Sequence, residues 1–426
     1  MSHPATLSDW LDHLERRNLQ AIVLGLERVR AVLARMQLDT GFPLITVGGT
    51  NGKGSTCAYL EAILAAAGYR VGCYTSPHLL RYNERVRIAG KEAADVDLCA
   101  ALAAVEAARE DIPLTYFEQG TLAAMWLFQR AGLDVAVLEV GLGGRLDAVN
   151  AWDADSAVVT GVDLDHQQFL GDTREAIGFE KAGIYRSGRP AICGDARPPD
   201  SLREHARGIG ARLLCLDEAI RVEVGEAGWT CRVDDLVFPA LPRPAMPGRY
   251  QYANAACAIA ALACLRTRLP VAMSAVRAGL AGARQPGRFQ VVGHRPLRIL
   301  DVAHNPQAAR ALADNLAELP PTGKVLAVFA MLADKDVEGV VAPLAARIAH
   351  WHVAGLEGPR GLDGHELERR LAAMGCGVTR HDRVSHAWQA VCRQVGPADT
   401  IAAFGSFHTV AGILAEISGG HDTTHG

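Results

Sequence analysis

The stretch "ITVGGTNGKGSTCAYLEAILAAAG", residues 45–68, constrains the fold more than any other part of the chain. A short apolar run enters a glycine-rich turn and leaves as a helical pattern near Lys53, with Leu60, Ile63, Leu64 and Ala67 on one stripe and Gly68 as the stop. Such a turn aims backbone N–H groups and the positive helix end at a phosphate, and Lys53 adds a point charge. The spacing departs from the standard phosphate loop, because Gly48 lies one residue too close to the Gly52-Lys53 pair and Gly54 separates Lys53 from Ser55. A glycine-rich turn is often merely structural. Here the lysine, the hydroxyls of Ser55 and Thr56 and the preceding strand favour nucleotide binding, with Thr50, Asn51, Gly52, Lys53, Gly54 and Ser55 as the cradle.

The same alternation of apolar runs and helical patterns recurs. "PLITVGG", "YRVGCYTS", "DVAVLEVG" and "SAVVTGVD" read as buried strands, and "LRILDVAHNP", "KVLAVFAML", "HWHVAGLEGP" and "TIAAFGSFH" repeat the pattern late in the chain. This is the signature of parallel sheets covered by helices, with ligands gathering at the carboxyl ends of the strands. At 426 residues the chain exceeds what one core organises, and the Gly/Pro-rich "GARQPGRFQVVG" falls between the two series. The expected fold is therefore α/β. A P-loop NTPase-like domain with a mostly parallel sheet spans 1–287, and a smaller Rossmann-like α/β domain spans 288–426.

Hydrophobic residues at 49% and charged residues at 21% are ordinary for a globular protein, and a net charge of −4 argues against nucleic acid or an anionic membrane as the main partner. The polar start "MSHPATLSDWLDHLERRNLQ" lacks the apolar core of a signal peptide, and no run reaches the length of a membrane span. A cytoplasmic location is expected. The ten cysteines contain no C-x-x-C pair and read as buried free thiols rather than a disulfide or zinc framework. Short linkers and a small tail, "GGHDTTHG", point to a monomer.

A nucleotide triphosphate needs magnesium, and oxygen or imidazole ligands stand where strands should end. Glu139 closes "VAVLEV" as a Walker-B acid does, Ser76 ends "YTS", and "TGVDLDHQQFLG" places Asp163, Asp165 and His166 after another apolar run. Each alone could be a cap or a solvated turn residue. Three strand ends beside a phosphate loop favour a metal site. Downstream, "GDTREAIGFEKAGIY" (171–185) signals a helix, with Asp172 and Glu175 spaced as a capping box. Ile177, Lys181 and Ile184 then fall on one face. Two readings fit: the lysine stem runs along apolar surface with its ammonium in water, or its amine is buried and kept neutral for chemistry.

Together, "GGTNGKGST", "TSPHLLRYNERVRI", "EVGLGGRLDAVN", "LDHQQFLGDTREAIGFEKAGI", "PGRFQ", "DVAHNPQAA" and "GSFHTV" resemble the bacterial bifunctional dihydrofolate synthase/folylpolyglutamate synthase family, a branch of the Mur-type ATP-dependent amide ligases. The match runs in order from about residue 10 to residue 415. The resemblance implies that L-glutamate is joined to 7,8-dihydropteroate, giving dihydrofolate, and to reduced folates, giving folylpolyglutamates. ATP first phosphorylates the acceptor carboxylate, and the glutamate amine displaces phosphate from the acyl phosphate. It also implies two magnesium ions, one on Ser76 and Glu139 and a second helped by His166.

By the same resemblance Lys181 is carbamylated, which turns a cation into an anionic metal ligand, and Lys53, Lys181 and His304 are catalytic. Asn254, Arg288 and Asp301 are ATP contacts, with Arg288 at the domain junction and Asp301 placed for ribose hydroxyls. Thr115, Tyr116, Phe117 and Glu118, with Leu146, Asp147 and Ala148, bind the pterin, Phe117 by stacking. A dihydropteroate-contacting loop falls near Arg16 to Ala21. His304 and Ser406 face glutamate, although a histidine before Asn-Pro serves equally as a helix-start element. Three rivals share parts of this pattern. A cell-wall Mur ligase would carry an extra N-terminal domain, for which a phosphate loop beginning by residue 48 leaves no room. A monofunctional folylpolyglutamate synthase would lack the dihydropteroate step, against which "LTYFEQGT" argues. A regulatory ATPase would need no amine acceptor.

Overall fold

A computed structural model of the chain describes residues 4–17, 23–320 and 323–419. Residues up to Ala245, together with Gln251–Arg284, form one compact unit; Met246–Tyr250 and the chain from Gln285 onward form a second.

The first unit is built on Leu44–Gly48 (β1), Val71–Tyr74 (β2), Val86–Ile88 (β3), Lys91–Glu92 (β4), Val135–Glu139 (β5), Ser156–Val159 (β6), Pro190–Cys193 (β7) and Arg212–Cys215 (β8), in the order β4-β3-β2-β5-β1-β6-β7-β8. All neighbours from β2 to β8 run parallel, while β3 and β4 add an antiparallel edge. Every residue of β1, β5 and β6 is buried, which is why these strands read as unbroken apolar runs rather than alternating ones. The pairings Val47↔Glu139, Gly48↔Val159 and Tyr74↔Leu138 bring the carboxyl ends of four strands to one edge of the sheet. The helix Lys53–Ala66 follows β1 directly and buries Tyr59, Leu60, Ile63 and Leu64, each contributing roughly 1.5–3 kcal/mol. Its outer side is met by the helix Met273–Gly282, where Gly279 lies so close that a Cβ would come within 2.5 Å of Ile63.

Ile220–Gly225 (β9), Gly228–Val233 (β10) and Leu236–Leu241 (β11) form a separate antiparallel sheet. Sequence reasoning missed it, because β10 is the one strand of the three with regular alternation of burial, and its neighbours are largely exposed. The second unit carries Gln290–His294 (β12), Leu297–Leu300 (β13), Val325–Phe329 (β14), Ile348–Ala354 (β15), Val378–His381 (β16) and Thr400–Phe404 (β17), ordered β12-β13-β17-β14-β15-β16. Only the edge strand β12 is antiparallel. Phe329, Trp351 and Phe404 pack mutually at ring separations of 5.1, 5.5 and 5.8 Å in its core.

One local expectation is corrected. The helix Arg174–Ala182 is capped by Thr173, whose hydroxyl accepts from the Ala176 N–H at 3.1 Å, and not by Asp172. Glu175 turns away to accept the Ser201 N–H at 2.8 Å, so no capping box forms. Thr173 has the extended backbone that an N-cap needs, directly before the first helical residue.

Candidate active site

The phosphate loop lies between the end of β1 and Lys53. Gly52 has φ +89°, and a Cβ there would stand 2.4 Å from Asn254 Oδ1, so only glycine lets the loop pass beside that side chain. Asn254 Nδ2 donates to Gln251 Oε1 at 3.0 Å, and Gln251 Nε2 donates to Ser55 Oγ at 3.3 Å. Asn254, expected only through the resemblance, therefore sits against the loop, with Gln251, a residue that had no signal in the sequence. Lys53 Nζ folds back to Gly49 O (3.0 Å) and Thr50 O (3.1 Å). The loop is pinned to the segment after β6 by Thr160 Oγ1, which donates to Asn51 O at 2.6 Å, and by Thr50 Oγ1 on Asp163.

Glu139 is the last residue of β5 and is buried, and its carboxylate accepts the Ser76 N–H at 3.1 Å. His166 follows β6 with a left-handed backbone (φ +50°), and its Nε2 lies 3.9 Å from Asp165. Lys181 is 4% exposed and forms no ion pair among the described residues. Burial, then the Lys53 ammonium, lower its pKa to about 7 against the opposing pull of Asp165 and Asp147. The same burial raises Asp147 to about 7, although its carboxylate accepts the N–H groups of Leu142 (2.8 Å) and Val149 (3.1 Å) and feels Lys53. Lys53, Lys181, Asp147 and Asp165 thus share one electrostatic neighbourhood at the sheet edge.

Among the described residues no three His, Cys, Asp or Glu side chains converge as a metal cage. The available donors still suit a hard divalent cation that keeps water and nucleotide oxygens in its shell: a carboxylate (Glu139), an imidazole (His166), the Ser76 hydroxyl, which has no hydrogen bond among the described residues, and an unpaired lysine amine.

The expected pterin residues divide. Thr115 and Glu118 form a capping box that starts the helix Tyr116–Arg130, and Glu118 also pairs with Arg28 at 2.7 Å, so both side chains are committed to structure. Tyr116 faces Tyr82 edge-on at 6.0 Å beneath the Arg85 guanidinium, and Phe117 rests on the backbone of Gly141, 5.9 Å from Tyr74. Leu146 O accepts the Gly25 N–H at 3.3 Å, and Asp147 caps the short turn Ala148–Ala151. Of the loop expected near Arg16 to Ala21, residues 18–21 lie outside the described residues, and Arg17 is bound to Glu106.

In the second unit, Phe407 gathers the expected residues. The Arg288 guanidinium lies 5.4 Å from its ring and His304 6.2 Å from it. Asp301 accepts the N–H groups of Phe289 and Ala303, both at 2.8 Å, and burial raises its pKa against the pull of Arg288. His304 Nδ1 is 2.8 Å from Val302 O, while Asn305, not His304, caps the helix Pro306–Ala317. Ser406 Oγ lies 2.7 Å from Thr409 Oγ1 and accepts the Thr409 N–H. Phe407 and Thr409 were not expected as site residues; both stand inside the quoted "GSFHTV".

Residues 47–193 match the Mur ligase middle domain, and residues 287–407 match the Mur ligase glutamate ligase domain. Over 417 residues the chain is 47% identical to the dihydrofolate synthase/folylpolyglutamate synthase of Escherichia coli (strain K12), covering 96% of this chain and 95% of that protein. The chain belongs to the dihydrofolate synthase/folylpolyglutamate synthase family. A structure of E. coli FolC in complex with DHPP and ADP is similar to it with a TM-score of 0.93 at 46% identity, covering 99% of this chain and 100% of that one. A bifunctional folylpolyglutamate synthase/dihydrofolate synthase with Mn, AMPPNP and L-glutamate bound gives a TM-score of 0.90 at 46% identity, covering 97% and 98%. In this chain the middle-domain match contains the phosphate loop, Ser76, Glu139, His166 and Lys181, and the glutamate-ligase match contains Arg288, Asp301, His304 and Ser406. Asn254 falls in neither.

Proposed function

We propose that this family member is an ATP-dependent ligase that joins L-glutamate to 7,8-dihydropteroate and to reduced folates through an acyl phosphate. The observation that carries the reading is the pair of lysines, Lys53 over the phosphate loop and Lys181 buried within its field without a carboxylate partner. The Lys53 ammonium attracts polyphosphate and an acyl phosphate, and the Lys181 amine, pushed toward its neutral form by burial and by that ammonium, is available to carbon dioxide.

The loop amides from Thr50 to Gly54 and the Lys53 ammonium orient the γ-phosphate, with Ser55 and Asn254 closing the cradle. Lys53 meets charge that builds as the acceptor carboxylate attacks phosphorus. Ser76 and Glu139 would hold one magnesium ion, and His166 with Lys181 once carbamylated a second; bound there, the ions would neutralise charge between the two anions. The neutral Lys181 amine adds carbon dioxide and releases one proton, giving the anionic carbamate. Tyr116 and Phe117 offer ring faces to the pterin, with Leu146, Asp147 and Ala148 along its edge and Thr115 and Glu118 holding the helix that presents them. Arg288 and Asp301 would serve the nucleotide, and His304 and Ser406 the incoming glutamate. In this reading 1–287 is the ATP and pterin domain and 288–426 the glutamate domain.

No helix among the described residues is long and apolar enough to cross a membrane, and all ten cysteines are free, as a reducing compartment keeps them. Cytoplasmic work as a monomer on small molecules, without a nucleic-acid or membrane partner, completes the proposal. Dihydropteroate labelled with oxygen-18 in its carboxylate tests the chemistry. The expected result is one label in each phosphate released, and unlabelled phosphate alongside labelled amide would overturn the acyl phosphate.

A further inference from the structure

Val162 and Asp163, consecutive residues of the loop after β6, have all four main-chain polar groups held by side chains from other elements of the same unit. Val162 N donates to Asp195 Oδ2 at 2.7 Å, and Val162 O accepts from Arg174 Nε at 2.9 Å. Thr50 Oγ1 accepts the Asp163 N–H at 3.0 Å and lies 3.0 Å from Asp163 O. Arg174 Nη2 closes the ring by donating to Asp195 Oδ2 and to Arg197 O, both at 2.9 Å, and Asp195 Oδ1 accepts the Arg197 N–H at 2.8 Å. A surface loop ordinarily satisfies such groups with water. This one is fixed instead by the Asp195 carboxylate and the Arg174 guanidinium at Val162 and by the Thr50 hydroxyl at Asp163.

The anchors lie where they can set distances. His166 follows Asp163 by three residues, Arg174 is the first residue of the helix that carries Lys181, Asp195 follows β7, and Thr50 belongs to the phosphate loop. We infer that Arg174 and Asp195 are positioning residues for the divalent-cation side of the site. They hold the His166 loop at a fixed place relative to Lys181 while Thr50 ties it to the phosphate loop. The inference rests on the reading of His166 and Lys181 given under Proposed function. Neither residue carried a signal in the sequence, because the bonds join partners 12, 21 and 33 positions apart.

The test measures Mn2+ binding by electron paramagnetic resonance in the full chain saturated with ADP, alongside thermal melting. Arg174→Ala and Asp195→Ala are expected to weaken Mn2+ on the order of tenfold, as loss of groups orienting metal ligands does. Asp195→Asn keeps an acceptor for Val162 N but severs the charge pair, and should weaken Mn2+ about threefold. His166→Ala is the reference. If it loses Mn2+ affinity while folded Arg174→Ala and Asp195→Ala bind as the parent does, the clamp is a structural staple and the inference falls alone. If His166→Ala itself binds as the parent, the cation reading of His166 falls, and the inference with it. Should the alanine variants fail to fold, parental affinity in Asp195→Asn overturns the inference.

Discussion

A buried amine without an ion-pair partner is costly, and Lys181 keeps that arrangement one turn after the buried Ile177 in the helix Arg174–Ala182, with Ile184 buried just past the helix end. The Ile177–Lys181 face follows from i, i+4 spacing and was legible, as was the alternative of a buried, neutral amine, whereas Ile184 falls past the helix end at Ala182. The extent of the shift was not legible, because beyond burial it is set by the Lys53 ammonium, 128 positions earlier in the chain, against the opposing pull of Asp165 and Asp147. With its folded pKa near 7 against an ordinary 10.5, Lys181 binds fewer protons folded than unfolded across that interval. Its contribution to stability therefore improves as pH rises from about 7 toward about 10. The neutral form that reacts with carbon dioxide is depleted below pH 7. Lys181→Ala should cut turnover on the order of a hundredfold, with partial recovery in acetate or another short carboxylate. Carbon-13 bicarbonate should give the parent a carbamate resonance that the variant lacks. Full activity in Lys181→Ala would reject the modification.

Helices are tied by pairs that no local window contains. Glu106, on the helix Asp95–Arg109, accepts from Arg17 of the helix Leu7–Arg17 at 2.6 Å and from Arg109 Nε at 2.7 Å, with Gln119 of the helix Tyr116–Arg130 at 3.3 Å. Burial alone would raise its pKa, but Arg109, Arg17 and Gln119 outweigh burial and hold it at about 2. Only the Arg109 contact, three residues along one helix, is visible in sequence. Because the folded pKa is depressed below the ordinary 4.5, this stabilisation is complete above about pH 4.5 and disappears as pH falls toward 2. Glu106→Gln should lower stability by about 1–3 kcal/mol at pH 7, read from the urea midpoint, and the difference should close near pH 2. A constant difference across that range would show that packing, not charge, is responsible. The same helix set presents Tyr116 and Phe117, so the cost falls on an element of the proposed pterin site.

On the scale of the whole chain, the eight apolar runs picked out as strands are all strands, because buried parallel strands announce themselves by continuous hydrophobicity. The β9–β11 sheet, with its exposed faces, does not. The segment Met246–Tyr250 also lay outside any sequence argument. It belongs with the second unit, where Arg249 pairs with Glu318 at 3.1 Å and Gly248 lies against Asn315. The placement of the phosphate loop, Ser76 and Glu139 at the ends of β1, β2 and β5 was legible in the apolar runs, and His166 lies further on, in the segment after β6; Asn254, Arg288 and Asp301 were singled out through the resemblance alone. The most direct measurement incubates the purified chain with ATP, magnesium, L-glutamate and 7,8-dihydropteroate and follows dihydrofolate and phosphate together. Equal amounts of both are expected, with phosphate release falling to background when either glutamate or the pterin acid is left out. Phosphate released at the same rate without them, or no product from either dihydropteroate or a reduced folate, would contradict the proposed function.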